Sequence, residues 1–94
     1  MNTQITQEIK NVAINNMIDN LPALRAMCHY SQNDLAELIG LSRQTIAMIE
    51  SRKRAMSWSV FLSLMFVFTQ SEETNRLLVP LNIYTNELKD LYRN

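Results

Sequence analysis

The chain has 94 residues, with nine basic and nine acidic side chains and a formal net charge of zero. This length supports one domain with a single modest core, and the balanced charge argues against indiscriminate binding to polyanions. A single cysteine, Cys28, permits no internal disulfide and fits a reducing compartment. Because no export leader is recognisable, we expect a cytoplasmic location.

Metal binding and catalysis are not expected. Cys28 and the one histidine, His29, are adjacent, but a structural zinc site needs four ligands, so both are interpreted as ordinary helix-end residues. The sequence contains no glycine-rich phosphate loop and no paired metal-ligand motif. We therefore expect a protein without enzymatic activity, metal or cofactor.

The N-terminal third of the sequence predicts two helices. Apolar residues recur at helical spacing from about Thr3 to Ile18, which predicts an extra N-terminal helix (Ile5, Ile9, Val12, Ala13 and Met17). Asn20 and Pro22 then mark a new start, because asparagine caps helices and proline is tolerated in a first turn. The second helix is predicted from about Leu21 to Cys28.

Residues 31–50 read as two short helices hinged on Gly40, the only glycine in the chain. Ser31 and Ser42 each precede a helical pattern and are expected to cap it by accepting a backbone hydrogen bond. Gly40 follows the last apolar residue of the first helix, where a left-handed backbone ends a helix sharply. The segment therefore predicts a helix-turn-helix.

The second helix of this motif separates into two faces. Ile46 and Ile49 share the side that should pack, whereas the opposite side carries Arg43, Gln44, Ala47 and Met48. Arginine can bind guanine and glutamine can bind adenine through two hydrogen bonds each, and alanine and methionine suit a thymine methyl. An isolated face of this kind is also typical of an ordinary solvated helix.

From about Leu21 to Phe68 the sequence resembles the Cro/phage-repressor helix-turn-helix family, also called XRE or lambda-repressor-like. The resemblance rests on an ordered set of residues: Leu24, Arg25, Ser31, Gln32, Leu35, Ala36, Gly40, Leu41, Ser42, Thr45, Ile46, Ile49 and Glu50. It implies a DNA-binding domain in which base edges are read by Ser42, Arg43, Gln44 and Met48, to which the helical face adds Ala47. It also implies that Gln32 binds phosphate, and Thr45 is a further phosphate candidate.

An ion pair between Arg25 and Glu50 is implied by the same resemblance. The residues themselves support it, because Arg25 follows Leu24 and Glu50 follows Ile49, two positions expected in the core. Charges that are partly desolvated need a partner.

The sequence departs from the family after Glu50. Members carry a glycine two residues later, whereas here the run is Ser51, Arg52, Lys53 and Arg54, which leaves the loop path open. A basic triplet alone is more typical of a solvated loop. Beside a reading helix, however, Arg52, Lys53 and Arg54 are expected to bind phosphates.

The remaining sequence predicts a fourth helix at about Ser57 to Thr69 and a helical tail. The fourth helix is apolar on all sides but too short to span a bilayer, so it should bury one face in the core and another under the tail or a second subunit. Pro80 should separate a short helix near 72–78 from a final one near 85–92, with residues 82–84 extended. The candidates for a subunit contact are Phe66, Phe68, Leu88, Leu91 and Tyr92.

These observations predict an all-α single domain over 1–94. The expected fold is a five-helix lambda-repressor-like helix-turn-helix domain with an extra N-terminal helix and a helical C-terminal tail. Its parts are the N-terminal helix (1–18), the helix-turn-helix core (21–69) and a C-terminal helical segment (72–94) that serves packing or dimerisation. The expected function is a dimeric repressor of a short operon or its own promoter, in a prokaryote or phage-infected cell, reading an inverted-repeat DNA operator. The alternative is an interaction module or phage accessory protein that uses the same fold to bind a protein partner.

Overall fold

The computed structural model describes residues 6–92, and side chains up to residue 90. Within this range the only regular secondary structure is helix, which confirms the all-α prediction. The helices are α1 (Gln7–Met27), α2 (Gln32–Ile39), α3 (Arg43–Glu50), α4 (Trp58–Thr69), α5 (Glu72–Asn75) and α6 (Asn86–Tyr92). None of them is both long and apolar enough to cross a membrane, a finding that covers the described residues only.

Helix α1 is continuous, so the predicted break between residues 18 and 21 is wrong. Asn20 does not cap a helix, because its side-chain amide lies within α1 and donates to the carbonyl oxygen of Asn16 at 2.8 Å. Pro22 lies inside the helix, where proline ordinarily costs about 3 kcal/mol. The buried stripe of Met17, Leu21 and Leu24 continues through this point, so core packing offsets that cost. The predicted start at Thr3 and the side chain of Ile5 lie outside the described residues.

The two helices of the motif begin and end where the sequence predicts. The hydroxyl of Ser31 accepts from the backbone N–H of Asp34 at 2.9 Å, and the Asp34 carboxylate accepts from the Ser31 N–H at 3.0 Å. These bonds, the one from the Ser31 backbone first, lower the pKa of Asp34. Ser42 caps α3 by accepting from Thr45 N–H at 3.1 Å. Gly40 ends α2 with a left-handed φ of 79°.

The core joins every long helix to the C-terminal segment. Its largest fully buried side chains are Met17, Leu21, Leu24, Leu35, Ile46, Ile49, Phe61, Leu64, Phe68, Leu78, Ile83 and Leu88. Phe68 and Leu88 are both 0 % exposed, so their assignment as subunit contacts is wrong: they face inward, where the C-terminal segment covers α4. Phe66 is 67 % exposed. The side chains of Leu91 and Tyr92 lie outside the described part.

The C-terminal segment turns back on itself instead of running extended. Helix α5 ends at Asn75, earlier than predicted, and turns follow it. The carbonyl oxygen of Leu78 accepts from the N–H groups of Ile83 at 2.9 Å and Tyr84 at 2.8 Å. This reversal replaces the predicted extended segment at 82–84, because it satisfies the backbone locally while burying Ile83.

Substitution of Gly40 measures how much the left-handed turn contributes to the stability of the domain. No atom lies within 4 Å of the position that a Cβ atom would occupy, so the constraint is the backbone conformation alone. We expect Gly40→Ala to lower the free energy of unfolding by about 1 kcal/mol, and Gly40→Asn by less. Urea denaturation measures both. Equal stability of Gly40→Ala and the wild type would contradict the assignment.

Candidate nucleic-acid interface

An ion pair between Arg25 and Glu50 joins α1 to the end of α3. The Nε atom of Arg25 lies 2.8 Å from Oε2 of Glu50, and its Nη2 atom lies 3.2 Å from Oε1. Only 18 % of the arginine side chain and 9 % of the glutamate side chain are exposed. The remaining nitrogen, Nη1, donates to the carbonyl oxygen of Tyr30 at 3.1 Å. The pair therefore holds α3, α1 and the segment before α2 in one arrangement.

Hydrogen bonds extend this pair to the surface of α3. Gln32 Nε2 donates to Oε1 of Glu50 at 2.9 Å, and Gln32 Oε1 accepts from Nη1 of Arg43 at 3.3 Å. Gln32, which the resemblance assigns to phosphate binding, thus lies half-buried inside a network. Its amide carries two hydrogens, and one bond to Glu50 leaves the other available.

The predicted packing face of α3 is confirmed, because Ile46 and Ile49 are buried. On the other side, Ser42, Arg43 and Gln44 are exposed, whereas Ala47, Met48 and Thr45 are half-buried. The hydroxyl groups of Ser42 and Thr45 lie 2.9 Å apart and bond to each other. The exposed side of α3 thus presents one cation and one amide from its first turn, with a methionine further along.

The loop after α3 follows a definite path without the family's glycine. Arg52 stands at that position and adopts a left-handed φ of 64°. The N–H groups of Lys53 and Arg54 both donate to the carbonyl oxygen of Met48, at 2.8 and 3.2 Å. The chain therefore makes the tight reversal that a glycine would permit, with an arginine in the strained position.

The side chain of Arg52 turns away from its basic neighbours. Its guanidinium donates to Oδ1 of Asp19 at 2.6 Å and to Oδ1 of Asn15 at 3.0 Å, and a longer bond of 3.4 Å reaches the Asn15 carbonyl. Arg52 is thus engaged with α1, which corrects its grouping with Lys53 and Arg54. Those two side chains are exposed and form no hydrogen bond or ion pair with the described residues.

Reasoning from the sequence missed Asn15 and Asp19 as partners of Arg52. Both are polar residues on a helix surface, a pattern that ordinarily indicates solvent exposure. The one sequence signal is Arg52, which stands where the family has glycine. That signal does not indicate which residues would bind the arginine side chain.

The comparisons with known proteins agree with this geometry. Residues 23–57 match a family described as Helix-turn-helix, a stretch that begins in α1 and ends at the residue capping α4. No curated protein and no solved structure is significantly similar to the chain. The matched segment is a helix-turn-helix, the type of domain found in DNA-binding regulators. In family terms it is the XRE, lambda-repressor-like helix-turn-helix that the sequence resembles.

Removing one partner of the Arg25–Glu50 pair should lower the free energy of unfolding more than replacing both partners by apolar residues. Arg25→Met leaves Glu50 largely buried with Gln32 as its remaining donor, and we expect a loss of about 3 kcal/mol in the free energy of unfolding. The double variant Arg25→Met, Glu50→Met removes both charges and should recover most of that loss. Urea denaturation of both variants measures the difference. A double variant no more stable than Arg25→Met would contradict the interpretation.

Proposed function

We propose that this protein is a sequence-specific transcriptional regulator that binds an inverted-repeat DNA operator as a homodimer. The observation that carries the proposal is α3 itself, whose inner face is buried while Arg43 and Gln44 stand exposed at its start. A short rigid helix that presents such side chains suits the major groove, where base edges carry a distinct pattern of donors and acceptors.

Base recognition would come from the exposed side of α3. The guanidinium of Arg43 can donate to two acceptors of guanine, and the amide of Gln44 can both donate to and accept from adenine. In the free protein Arg43 is bonded to Gln32, which fixes the side chain near the surface before DNA arrives. Ser42, Ala47 and Met48 would complete the contact at the ends of this face.

Phosphate contacts would set affinity and register. Lys53 and Arg54 are exposed cations beside α3, and Gln32 keeps one amide hydrogen. Thr45, whose hydroxyl bonds to Ser42 in the free protein, is a further candidate. Glu50 would not repel the DNA strongly, because Arg25 neutralises it. The local field is therefore positive on a chain of zero net charge.

Repression would follow from occupancy of the operator. Two copies related by a two-fold axis would place their α3 helices in successive major grooves about 34–36 Å apart, which requires an inverted repeat. A cytoplasmic location is part of this proposal. The control of a short operon or of the protein's own promoter is likewise part of it.

Two substitutions separate base recognition from phosphate binding. Arg43→Ala should weaken binding to the preferred site by about 1–3 kcal/mol and relax its sequence preference. Lys53→Ala should weaken all sequences alike and reduce the slope of log K against log salt by about 1. Gel-shift titrations on a duplex selected from random sequence, at several salt concentrations, measure both effects.

The matched control is Arg76→Ala, which removes an exposed cation outside the motif. It should leave specificity and salt slope unchanged. If Arg43→Ala bound the operator as tightly as the wild type, the assignment of base recognition to the exposed side of α3 would be wrong. A wild-type protein that binds no duplex would favour the protein-interaction module instead.

We propose that the second subunit packs on an apolar groove between α2 and α4. Phe66 and Leu38 are 67 % and 55 % exposed there, and no charged residue lines the groove (Leu38, Ile39, Leu62, Ser63, Phe66 and Val67). Because the protruding Phe66 ring borders the groove, two copies could each insert a ring into the other, as a two-fold contact requires.

Phe66→Glu should convert a dimer into a monomer at micromolar concentration, because it would bury two charges in an apolar contact. Sedimentation velocity measures the change. The matched control is Val79→Glu, which places the same charge on another exposed apolar position, 48 % exposed in the free chain. Dissociation by Val79→Glu but not by Phe66→Glu would place the contact elsewhere, and a monomeric wild type would overturn the two-fold operator.

A further inference from the structure

The part of α1 before residue 23 lies against the basic loop (residues 51–57), although it is outside the segment that matches the helix-turn-helix family. That match begins at residue 23, whereas Asn15 and Asp19 bind Arg52 from earlier in the helix. A second contact joins the same two parts, because Nζ of Lys10 lies 5.3 Å from the centre of the Trp58 ring at the start of α4. The loop is thus held against α1 at both of its ends.

The contact with Arg52 has a specific physical task. A residue with a side chain is disfavoured at a left-handed φ of 64°, and the three bonds to α1 offset that cost. In the loop conformation that these bonds stabilise, the backbone N–H groups of Lys53 and Arg54 donate to the carbonyl oxygen of Met48. Fixing Arg52 therefore fixes the backbone that carries the two exposed cations.

We propose that Asp19 and Asn15 are positioning residues for the phosphate-binding loop, and that Arg52 acts through them and does not contact DNA. This proposal rests on the function proposed above. The part of α1 before residue 23 would then raise DNA affinity without touching the nucleic acid, by holding Lys53 and Arg54 in the arrangement that binds phosphate.

The sign of the effect at Asp19 distinguishes positioning from simple charge. Asp19 is an exposed acid whose replacement by asparagine makes the protein more positive. If its charge alone mattered, or if Arg52 were released to grip phosphate, Asp19→Asn would bind DNA more tightly. Positioning demands the opposite result. We expect Asp19→Asn to weaken binding about two- to fivefold, in keeping with the loss of one exposed ion pair.

The matched control is Glu8→Gln, which makes the same charge change on an exposed position of the same helix away from Arg52. It should leave affinity unchanged or raise it slightly. Tighter binding by Asp19→Asn, or an equal effect of the two variants, would overturn the proposal. Both proteins are compared by fluorescence anisotropy on one duplex at two salt concentrations.

Two replacements of Arg52 supply an independent test. Arg52→Ala keeps the disfavoured left-handed backbone but loses the bonds to α1, so we expect a loss of about tenfold in affinity. Arg52→Gly also loses those bonds but removes the backbone cost, and should bind within about twofold of the wild type. A true phosphate ligand would lose affinity in both variants, and the salt slope would fall by about 0.9 in each.

A measurement without DNA separates this proposal from the proposed function. Hydrogen exchange reports directly on the Lys53 and Arg54 amides that bond to Met48. We expect their protection to fall about two- to fivefold in Asp19→Asn. It should be unchanged in Glu8→Gln. If the wild type binds no duplex, the proposed function fails and the DNA role of Asp19 with it. Unchanged protection in Asp19→Asn overturns the positioning role alone.

Discussion

The placement of α3 depends on one interaction, the pair between Arg25 and Glu50. Its value lies in orientation more than in stability, because two partly desolvated charges that satisfy each other add little net energy. The glutamate closes α3 and also accepts from Gln32, which in turn accepts from Arg43. A chain of hydrogen bonds therefore connects the partly buried ion pair to the exposed first turn of α3. Helix α3 is thus held at its C-terminal end, while its first turn remains exposed.

The loop after α3 adopts a left-handed backbone at Arg52, a conformation that ordinarily favours glycine. Arg52 holds the left-handed position because α1 supplies acceptors for its guanidinium. Those acceptors, Asn15 and Asp19, lie in the part of α1 before Pro22, and the helix continues unbroken from them to Met27. The extension of the first helix and the altered loop are thus one structural feature. The basic triplet divides accordingly into one anchoring arginine and two exposed cations.

Helix α4 is apolar on all sides, and its sides lie in two environments: one is buried in the core and another is exposed. Phe61, Leu64 and Phe68 are fully buried and fill the core beneath the C-terminal segment, and Trp58 stacks on Phe61 with ring centres 4.7 Å apart. Phe66 points elsewhere and is largely exposed beside Leu38. The uncovered side of this uncharged helix is where the proposed second subunit would pack.

Features that depend on neighbouring residues could be predicted from the sequence alone. Ser31, Ser42 and Gly40 mark the ends of the motif helices because capping and left-handed geometry are satisfied within a few residues. The spacing of Ile46 and Ile49 likewise defined the inner face of α3, and the family pattern pointed to Arg25 and Glu50. Tertiary packing set the remaining features. It carried α1 through Pro22, buried Phe68 and Leu88, and gave Arg52 a partner 33 residues away in Asp19. These outcomes follow from which distant surfaces meet, and local propensity does not encode that.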